Sequence, residues 1–481
     1  MKKTLKKYIL PEKTDARWWC LMGLSFLLPM LILVYRPIGL DLRQSAVVAS
    51  VVLTIIWWSS GIVKKIPASV FLTLMFCMVS GVDRMTVFSF PMSETFPMIV
   101  ITYLFSQGIA NSGLIDRIFQ PFLLRVVHTP CQCLIAIAAI FYLTMYVIPQ
   151  PLARLIVVAI VFHQFLAKTD LPERSRSVLM YGVFLFYAVV NMSAKDADMI
   201  MNYVAAGFSE VQISNGMWMY YMMIPTLITC FLVGLLFAGL FRRELMGHTL
   251  TIRKDTAIGP AGTSGANLAA GGCGDSSGWD SRQKAALVVI VVTVILWMTR
   301  TVHGINNTVI TLVATAGLFG LGILHKEDWK TIDVTTLIFL TAAFSIGGVM
   351  KACGAADKVF GLFRGIFPAE FSVRYLFVMI LVAMLLHMIL GSNTTTLSVV
   401  VPGMMLLCSQ VVKGPVIVFT AIISVSFHAI LPFHSVSMMI GASNGYFPAD
   451  YVTKMGIPVT CLVYLVAAGV FLPYWHLVGL I

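Results

Sequence analysis

The sequence predicts an all-α, polytopic membrane protein, and its composition, its apolar segments and its charge pattern all support this fold class. Hydrophobic residues make up 59% of the 481 residues and charged residues only 11%, whereas a soluble domain has about 25% charged residues. Five apolar segments are long enough, or nearly so, to cross a hydrocarbon core of about 30 Å as helices: 18–35, 45–63, 217–240, 305–324 and 455–479. The basic residues behind the net charge of +12 lie beside such segments, where they set topology. A lipid bilayer, and not nucleic acid, is therefore the expected partner.

About eleven transmembrane helices and two re-entrant helical hairpins account for the apolar segments. The helices are expected at 18–35, 45–63, 66–82, 94–112, 178–207, 217–240, 285–300, 305–324, 334–351, 415–440 and 455–479. The hairpins are expected near 131–167 and 374–412, because each of these runs is interrupted at its middle. Pro149-Gln150-Pro151 interrupts the first, and Gly391-Ser392-Asn393-Thr394 interrupts the second. An interruption inside an apolar run fits a hairpin that enters and leaves on the same membrane face.

The hairpins belong to two helical halves joined by a polar linker. A basic tail at 1–17 precedes the first half, 18–241, and residues 242–284 connect it to the second half, 285–481. The linker holds a run rich in Gly, Ala and Ser and is expected to be flexible. About two thirds of the 33 Lys and Arg residues fall on the side of the tail and the linker, which the positive-inside rule places in the cytoplasm.

The two halves repeat one another in sequence and in the order of their elements. Residues 111–119 (NSGLIDRIF) align with residues 352–360 (ACGAADKVF), and each is followed by a broken hairpin, an interrupted helix and a final helix. The charge pattern makes the first hairpin open to the inside and the second to the outside. Such an inverted repeat is the architecture of many secondary transporters.

The polar residues that interrupt the second hairpin are the strongest candidates for a binding site. Ser392, Asn393, Thr394 and Thr395 lie between two apolar runs. One helix ends and another begins here, so carbonyl groups that suit a cation meet amides and hydroxyls that suit a carboxylate or a sulfate. A helix kink satisfied by Ser and Thr side chains is the alternative, but five consecutive polar residues exceed what a kink needs.

This interruption resembles the hairpin tip of the divalent anion/sodium symporter family, whose members carry dicarboxylates, citrate or sulfate within a wider ion-transporter superfamily. The resemblance covers the chain from about residue 45 to its end. It implies that Ser392, Asn393 and Thr394 contact the substrate, that Ser392 and Asn393 hold a sodium ion, and that the protein is a homodimer. Three residues match the family's second interrupted helix and are further candidate substrate contacts: Pro432, His434 and Ser435.

The first hairpin departs from that pattern. It is interrupted at Gln150, between two prolines, and Arg154 follows one turn later. Two prolines and a glutamine cannot supply the hydroxyls of a Ser-Asn-Thr tip. Gln150 and Arg154 are still candidate substrate contacts, because an ionisable group at membrane depth is costly and functional by default. The alternative for Arg154 is a side chain that snorkels to the membrane interface.

The interrupted helix that faces this hairpin adds three candidate substrate contacts: Asn191, Ser193 and Lys195. Lys195 places a second positive charge where the family leaves room for sodium. Together, Arg154 and Lys195 predict a carrier that needs fewer sodium ions than its relatives and favours anion exchange. The alternative interpretation is a structural ion pair of Lys195 with Asp196 or Asp198.

The remaining polar residues give weaker signals. His387 and His428 are expected to pack as satisfied polar residues, whereas His434 beside the candidate site leaves proton coupling open. The nine cysteines have no zinc-ligand spacing and predict no metal or redox role. Because the sequence also has no nucleotide-binding or catalytic motif, neither an enzyme nor a cofactor other than sodium is expected.

These observations predict a secondary active transporter of a small anion, a multi-pass protein of the cell membrane or, in a bacterium, of the inner membrane. A di- or tricarboxylate or a related oxyanion fits the site, with sodium coupling or anion exchange as the driving mode. A proton-coupled carrier of another anion in the same superfamily is one alternative. A membrane-embedded enzyme or receptor is the alternative from a different class.

Overall fold

A computed structural model describes residues 16–247, 250–251, 280–299, 303–361, 363–390, 392–426, 428–430 and 434–481. Within these ranges the chain consists of helices and their connections and has no β-strand, which confirms the all-α prediction. Residues 1–15 of the predicted tail, residues 252–279 of the predicted linker, Gly391 and Pro432 lie outside the described residues.

Most helices follow the predicted apolar segments, with several long ones divided into shorter pieces, but Leu114–Val126 lies outside all of the predicted segments. The first half contains Ala16–Ser25, Leu27–Tyr35, Leu42–Ser60, Lys65–Val79, Arg84–Val87, Thr95–Asn111, Leu114–Val126, Pro130–Thr144, Pro151–Ala167, Glu173–Val190, Met201–Gly207, Asn215–Leu240 and Arg242–Leu245. The described second half contains Ser281–Met298, Asn307–Gly320, Val334–Ala352, Ala355–Gly361, Val373–Leu390, Asn393–Cys408, Gly414–Ser426, Val436–Ser443, Asp450–Val466 and Leu472–Leu477.

Helix length separates the segments that can cross a bilayer alone from those that cannot. Among the described residues, four helices are long and apolar enough to cross: Trp18–Tyr35, Asn215–Leu240, Lys326–Ala352 and Asp450–Leu477. Shorter apolar helices of 10–17 residues include both arms of each predicted hairpin, with the first arm of the second hairpin taken as Val373–Met388. Because a full crossing needs about 20 residues, such arms suit re-entrant hairpins. The number of spans and the inverted orientation of the halves stay predictions.

Each half contains a hairpin, a central helix, a break and a short helix, in that order. The first hairpin is Pro130–Thr144 with Pro151–Ala167, and the second is Val373–Leu390 with Asn393–Cys408. The first central helix, Glu173–Val190, is followed by the first break (residues 191–200) and the first short helix, Met201–Gly207. The second central helix, Gly414–Ser426, precedes the second short helix, Val436–Ser443, and the described residues between them, 428–430 and 434–435, are here called the second break.

The central helices place the breaks inside the protein. Every residue from Val178 to Val190 and every residue from Pro415 to Ser426 is buried. A helix that is apolar on all sides is the core of a larger bundle. The backbone groups freed at the end of each central helix must therefore be satisfied by protein or by ligand, because neither water nor lipid surrounds them.

The short helices connect the two halves. The first short helix packs against the second central helix and the second arm of the second hairpin, and the second short helix packs against the first central helix. A side chain at Gly441 could not be accommodated, since an added Cβ would lie 2.3 Å from the ring of Phe447 and 3.0 Å from that of Phe184. This close packing brings both breaks to the interface between the halves.

Candidate functional site

The tip of the second hairpin has an uncapped helix end and hydroxyl groups with no partner. Ser392 precedes the 16-residue helix Asn393–Cys408 in an extended conformation (φ −149°, ψ 124°), and its side chain does not cap that helix. The Thr395 hydroxyl is buried and has no hydrogen-bond partner among the described residues. The hydrogen bonds described for Ser392 and Thr394 use their carbonyl groups and leave their hydroxyls available. The tip therefore combines hydroxyls with the partial positive charge of a helix N-terminus.

Ser435 begins the second short helix in the same way. Its backbone is extended (φ −131°, ψ 126°), and its side chain does not cap the helix. Its Oγ lies 2.8 Å from the Oγ of Ser437, and both side chains are buried. This hydroxyl pair adds a second polar group at the break that faces the hairpin tip.

His387 joins the hairpin tip to the second break. Its Nε2 lies 3.1 Å from Asn393 Oδ1 and 3.1 Å from the carbonyl oxygen of His434. Its Nδ1 lies 3.1 Å from Nδ1 of His428. All three histidines are buried, so these contacts form without competition from water.

The first break is organised around the buried guanidinium of Arg154, which is 0% exposed. Nη1 donates to the carbonyl oxygen of Ile148 at 3.0 Å. Nη2 donates to Asn191 Oδ1 at 2.5 Å and to the carbonyl oxygen of Ala197. Arg154 thus satisfies oxygens from the hairpin tip and from two positions in the break, and its side chain does not snorkel.

Neighbouring polar groups complete this cluster. The buried Asp198 accepts from the amide of Asn191 at 3.4 Å and from the backbone N–H groups of Ile200 and Met201 at 3.0 and 2.8 Å. Asn202 donates to the carbonyl oxygens of Asn191 and Ala194 at 2.8 and 2.9 Å. A carboxylate, two amides and a guanidinium therefore satisfy most of the polar groups at the first break, where Nε of Arg154 has no partner among the described residues.

Gln150 and Ser193 also bond within the protein. The Gln150 side chain accepts from the backbone N–H of Ala153 and so caps its own helix. The Ser193 hydroxyl donates to the carbonyl oxygen of Val190 at 2.5 Å. Both side chains stabilise local backbone at the positions where the sequence predicted substrate contacts.

Lys195 lies on the outer side of this cluster. Its Nζ donates to the carbonyl oxygen of Ile213 at 2.8 Å and lies 4.5 Å from the ring centre of Tyr203. The Tyr203 hydroxyl in turn donates to Asp196 at 2.7 Å. The positive charge of Lys195 is therefore held by the segment that leads to the helix Asn215–Leu240.

The structure brings together most of the predicted site residues, although in two separate clusters. Arg154 and Asn191 meet at the first break. At the second, Asn393 and the backbone of His434 both contact His387, and Ser435 pairs with Ser437. Pro432 lies outside the described residues. The sequence interpretation did not include Asp198, Asn202, His387 or His428 among the site residues. The available signal for His387 was its position six residues before Asn393, at the end of a hairpin arm.

A cavity of about 420 Å³ lies elsewhere, at the end of the helix Asn215–Leu240, where Arg242, Arg243 and Lys454 line it with Glu244. It shares no residue with either break. The basic side chains suit the membrane surface, so the breaks remain the candidate site for a transported anion. Among the described residues, no group of three or more His, Cys, Asp or Glu side chains could hold a metal ion.

Buried central helices that end inside an apolar helical bundle, with polar clusters at the breaks, define a multi-pass membrane protein with an internal polar site. The family described as sodium:sulfate symporter transmembrane region matches residues 15–481. The chain therefore belongs to this family of secondary anion transporters. No curated protein matches the chain.

Proposed function

We propose that this chain carries a small oxyanion, such as a dicarboxylate, a tricarboxylate or sulfate, and that the anion binds at the second break. The supporting observation is the buried, partnerless hydroxyl of Thr395 in the first turn of an uncapped helix. A buried polar group without a partner is costly unless a ligand satisfies it. Hydroxyls and helix N-terminal amides are groups that bind carboxylate and sulfate oxygens.

Arg154 contributes charge rather than direct contact in this proposal. Its Nη1 and Nη2 groups are bound to protein oxygens, but a buried cation still stabilises a nearby anion. A fixed cation can substitute electrostatically for a bound ion that would otherwise cross with the substrate. Anion exchange and sodium symport are both compatible with such a site, and proton-coupled transport is the third mode. We further propose a homodimer with the linker in the cytoplasm.

Uptake by purified protein in proteoliposomes tests the function. Labelled succinate, citrate and sulfate are each supplied outside, with the same unlabelled anion or buffer inside, in sodium and in choline media. We expect saturable uptake of at least one anion, because the second break can bind an oxyanion. Empty liposomes are the control for leakage. Absence of uptake of all three anions under every condition contradicts the proposed substrate class.

A further inference from the structure

Two oxygens from different segments converge on one nitrogen at the second break. Asn393 Oδ1 comes from the hairpin tip, the His434 carbonyl oxygen comes from the break, and each lies 3.1 Å from His387 Nε2. In transporters with broken helices, the oxygens of unwound segments are the groups that coordinate a transported cation. At this position the convergent oxygens already have a partner from the protein.

The contacts fix the tautomer of His387. The carbonyl oxygen of His434 can only accept a hydrogen bond, so Nε2 of His387 carries the proton. The amide of Asn393 is oriented to match, because its Nδ2 donates to the carbonyl oxygens of Val425 and Ser426 at 3.4 and 3.5 Å. In the neutral ring Nδ1 then has a free lone pair, which accepts from Nδ1–H of His428 at 3.1 Å. His428 therefore holds His387 as a donor toward the two oxygens.

We infer that His387 is a positioning residue that takes the place of a coupling cation at the second break, so that the carrier works without sodium. Its N–H joins Asn393 of the hairpin tip to the break, as a bound cation would, but it is not carried across the membrane. Arg154 does the same for three oxygens at the first break. The inference rests on the proposed anion transport and names its coupling: exchange of one anion for another.

The geometry at Asn393 argues against the sodium ligand that the family resemblance implies. Its Oδ1 accepts from an imidazole N–H, and the same N–H lies against the carbonyl oxygen of His434. A cation and a hydrogen-bond donor cannot occupy the space between these oxygens together. Sodium could therefore enter only after the ring of His387 had moved out of a fully buried position.

Counterflow and thermal unfolding in sodium and choline media test the inference. For the wild-type protein we expect equal counterflow of succinate, citrate or sulfate in both media and no sodium-dependent shift of the unfolding temperature. For His387→Ala we expect counterflow in choline to fall by about tenfold, since two buried acceptors lose their donor. Sodium should partly restore it and raise the unfolding temperature, because an ion that binds only the folded state stabilises it.

Two further variants separate positioning from general packing. His387→Gln keeps an N–H donor of similar reach, so it should retain most counterflow in choline. His163→Ala is the matched control, because His163 is an exposed histidine in the second arm of the first hairpin, and its ring lies edge-to-face against Tyr446 with ring centres 5.3 Å apart. It should behave as wild type in both media.

The outcomes distinguish this inference from the proposed function. Wild-type counterflow that strictly requires sodium, or a sodium-dependent rise in wild-type unfolding temperature, overturns the inference while anion transport stands. No counterflow of any anion in either medium contradicts the proposed function, and the unfolding measurement still decides whether sodium binds. If His387→Ala does not purify as a folded protein, the wild-type sodium response and the His387→Gln variant decide the question.

Discussion

At the first break the guanidinium of Arg154 binds three protein oxygens, whereas at the second break the Thr395 hydroxyl binds no partner among the described residues. The two breaks have the same place in their halves, each following a fully buried central helix. They differ in what completes them. The guanidinium of Arg154 satisfies three oxygens at the first break, and the imidazole of His387 contacts two oxygens at the second, where the Thr395 hydroxyl has no partner among the described residues.

This difference suggests that one break has a structural role and that the other binds the ligand. A polar cluster whose members satisfy one another rigidifies the protein and has little capacity left for a ligand. A cluster with a buried, partnerless hydroxyl needs a further partner. At the first break Arg154 Nε is also buried without a partner among the described residues, but Nη1 and Nη2 both bond to protein oxygens. We therefore propose a structural and electrostatic role for the first break and contact with the anion for the second.

Arg154→Ala should have the largest effect on protein stability, and it tests whether Arg154 holds the first break together. The substitution leaves Asn191 and the carbonyl oxygens of Ile148 and Ala197 without their donor in a buried site. Loss of one partner from a buried charged cluster costs about 3–5 kcal/mol, so we expect a markedly lower unfolding temperature and little folded protein. Yield by size-exclusion chromatography and thermal unfolding of the purified protein measure it.

Arg154→Lys is the control for this prediction. The ammonium keeps the charge, but a point donor cannot reproduce the planar fork that spans separate acceptors. We expect a smaller loss of stability than for Arg154→Ala. An Arg154→Ala protein as stable as wild type would show that the first break does not depend on this side chain.

The sequence predicted the positions of both interruptions because helix-breaking residues in an apolar run leave a local signal. Gln150 and Ser392 are the residues that precede the second arm of each hairpin, and Pro151 and Asn393 begin those arms. The buried Arg154 was also predictable, since a charge in an apolar segment needs a partner. Its pairing with Asn191 was not, because the two residues are 37 positions apart and meet only through helix packing.

Contacts between residues distant in the sequence also explain why the structure differs from the sequence interpretation at Asn393 and His387. Asn393 was expected to contact ligand, yet its amide bonds to His387, Val425 and Ser426. His387 looked like ordinary packing, because nothing local shows that the carbonyl oxygen of His434, 47 positions away, faces its ring. Residue type identified the polar positions, but only the packing of the two segments shows which groups are already satisfied.

Thr395→Val tests whether the partnerless hydroxyl at the second hairpin tip binds the anion. Valine has nearly the shape of threonine, so it removes the buried hydroxyl without leaving a cavity. We expect an unfolding temperature equal to or above wild type, because an unpaired buried polar group is lost. Affinity for the anion should fall by about tenfold or more, since a hydrogen bond to a charged group is worth about 1.5–3 kcal/mol. Concentration dependence of counterflow measures the change.

Thr226→Val is the matched control for that change. Thr226 is also buried with a hydroxyl that has no partner among the described residues, but it belongs to the helix Asn215–Leu240 and not to a hairpin tip or a break. It should leave affinity unchanged. Equal losses of affinity in Thr395→Val and Thr226→Val would assign the effect to general packing and remove the support for an anion site at the hairpin tip.

Lys195→Ala should have the smallest effect and tests whether the first break carries one functional cation or two. Unlike Arg154, Lys195 donates to the carbonyl oxygen of Ile213 and lies over the ring of Tyr203, outside the buried cluster. A partly exposed charge is screened and contributes little to a distant anion. We therefore expect affinity in counterflow to change by less than about threefold, within the range of a weak surface interaction. A loss of about tenfold, or 1.4 kcal/mol, would instead place Lys195 in the field of the bound anion. The first break would then act as a two-cation site, as its sequence first indicated, and Arg154 alone would not account for its charge.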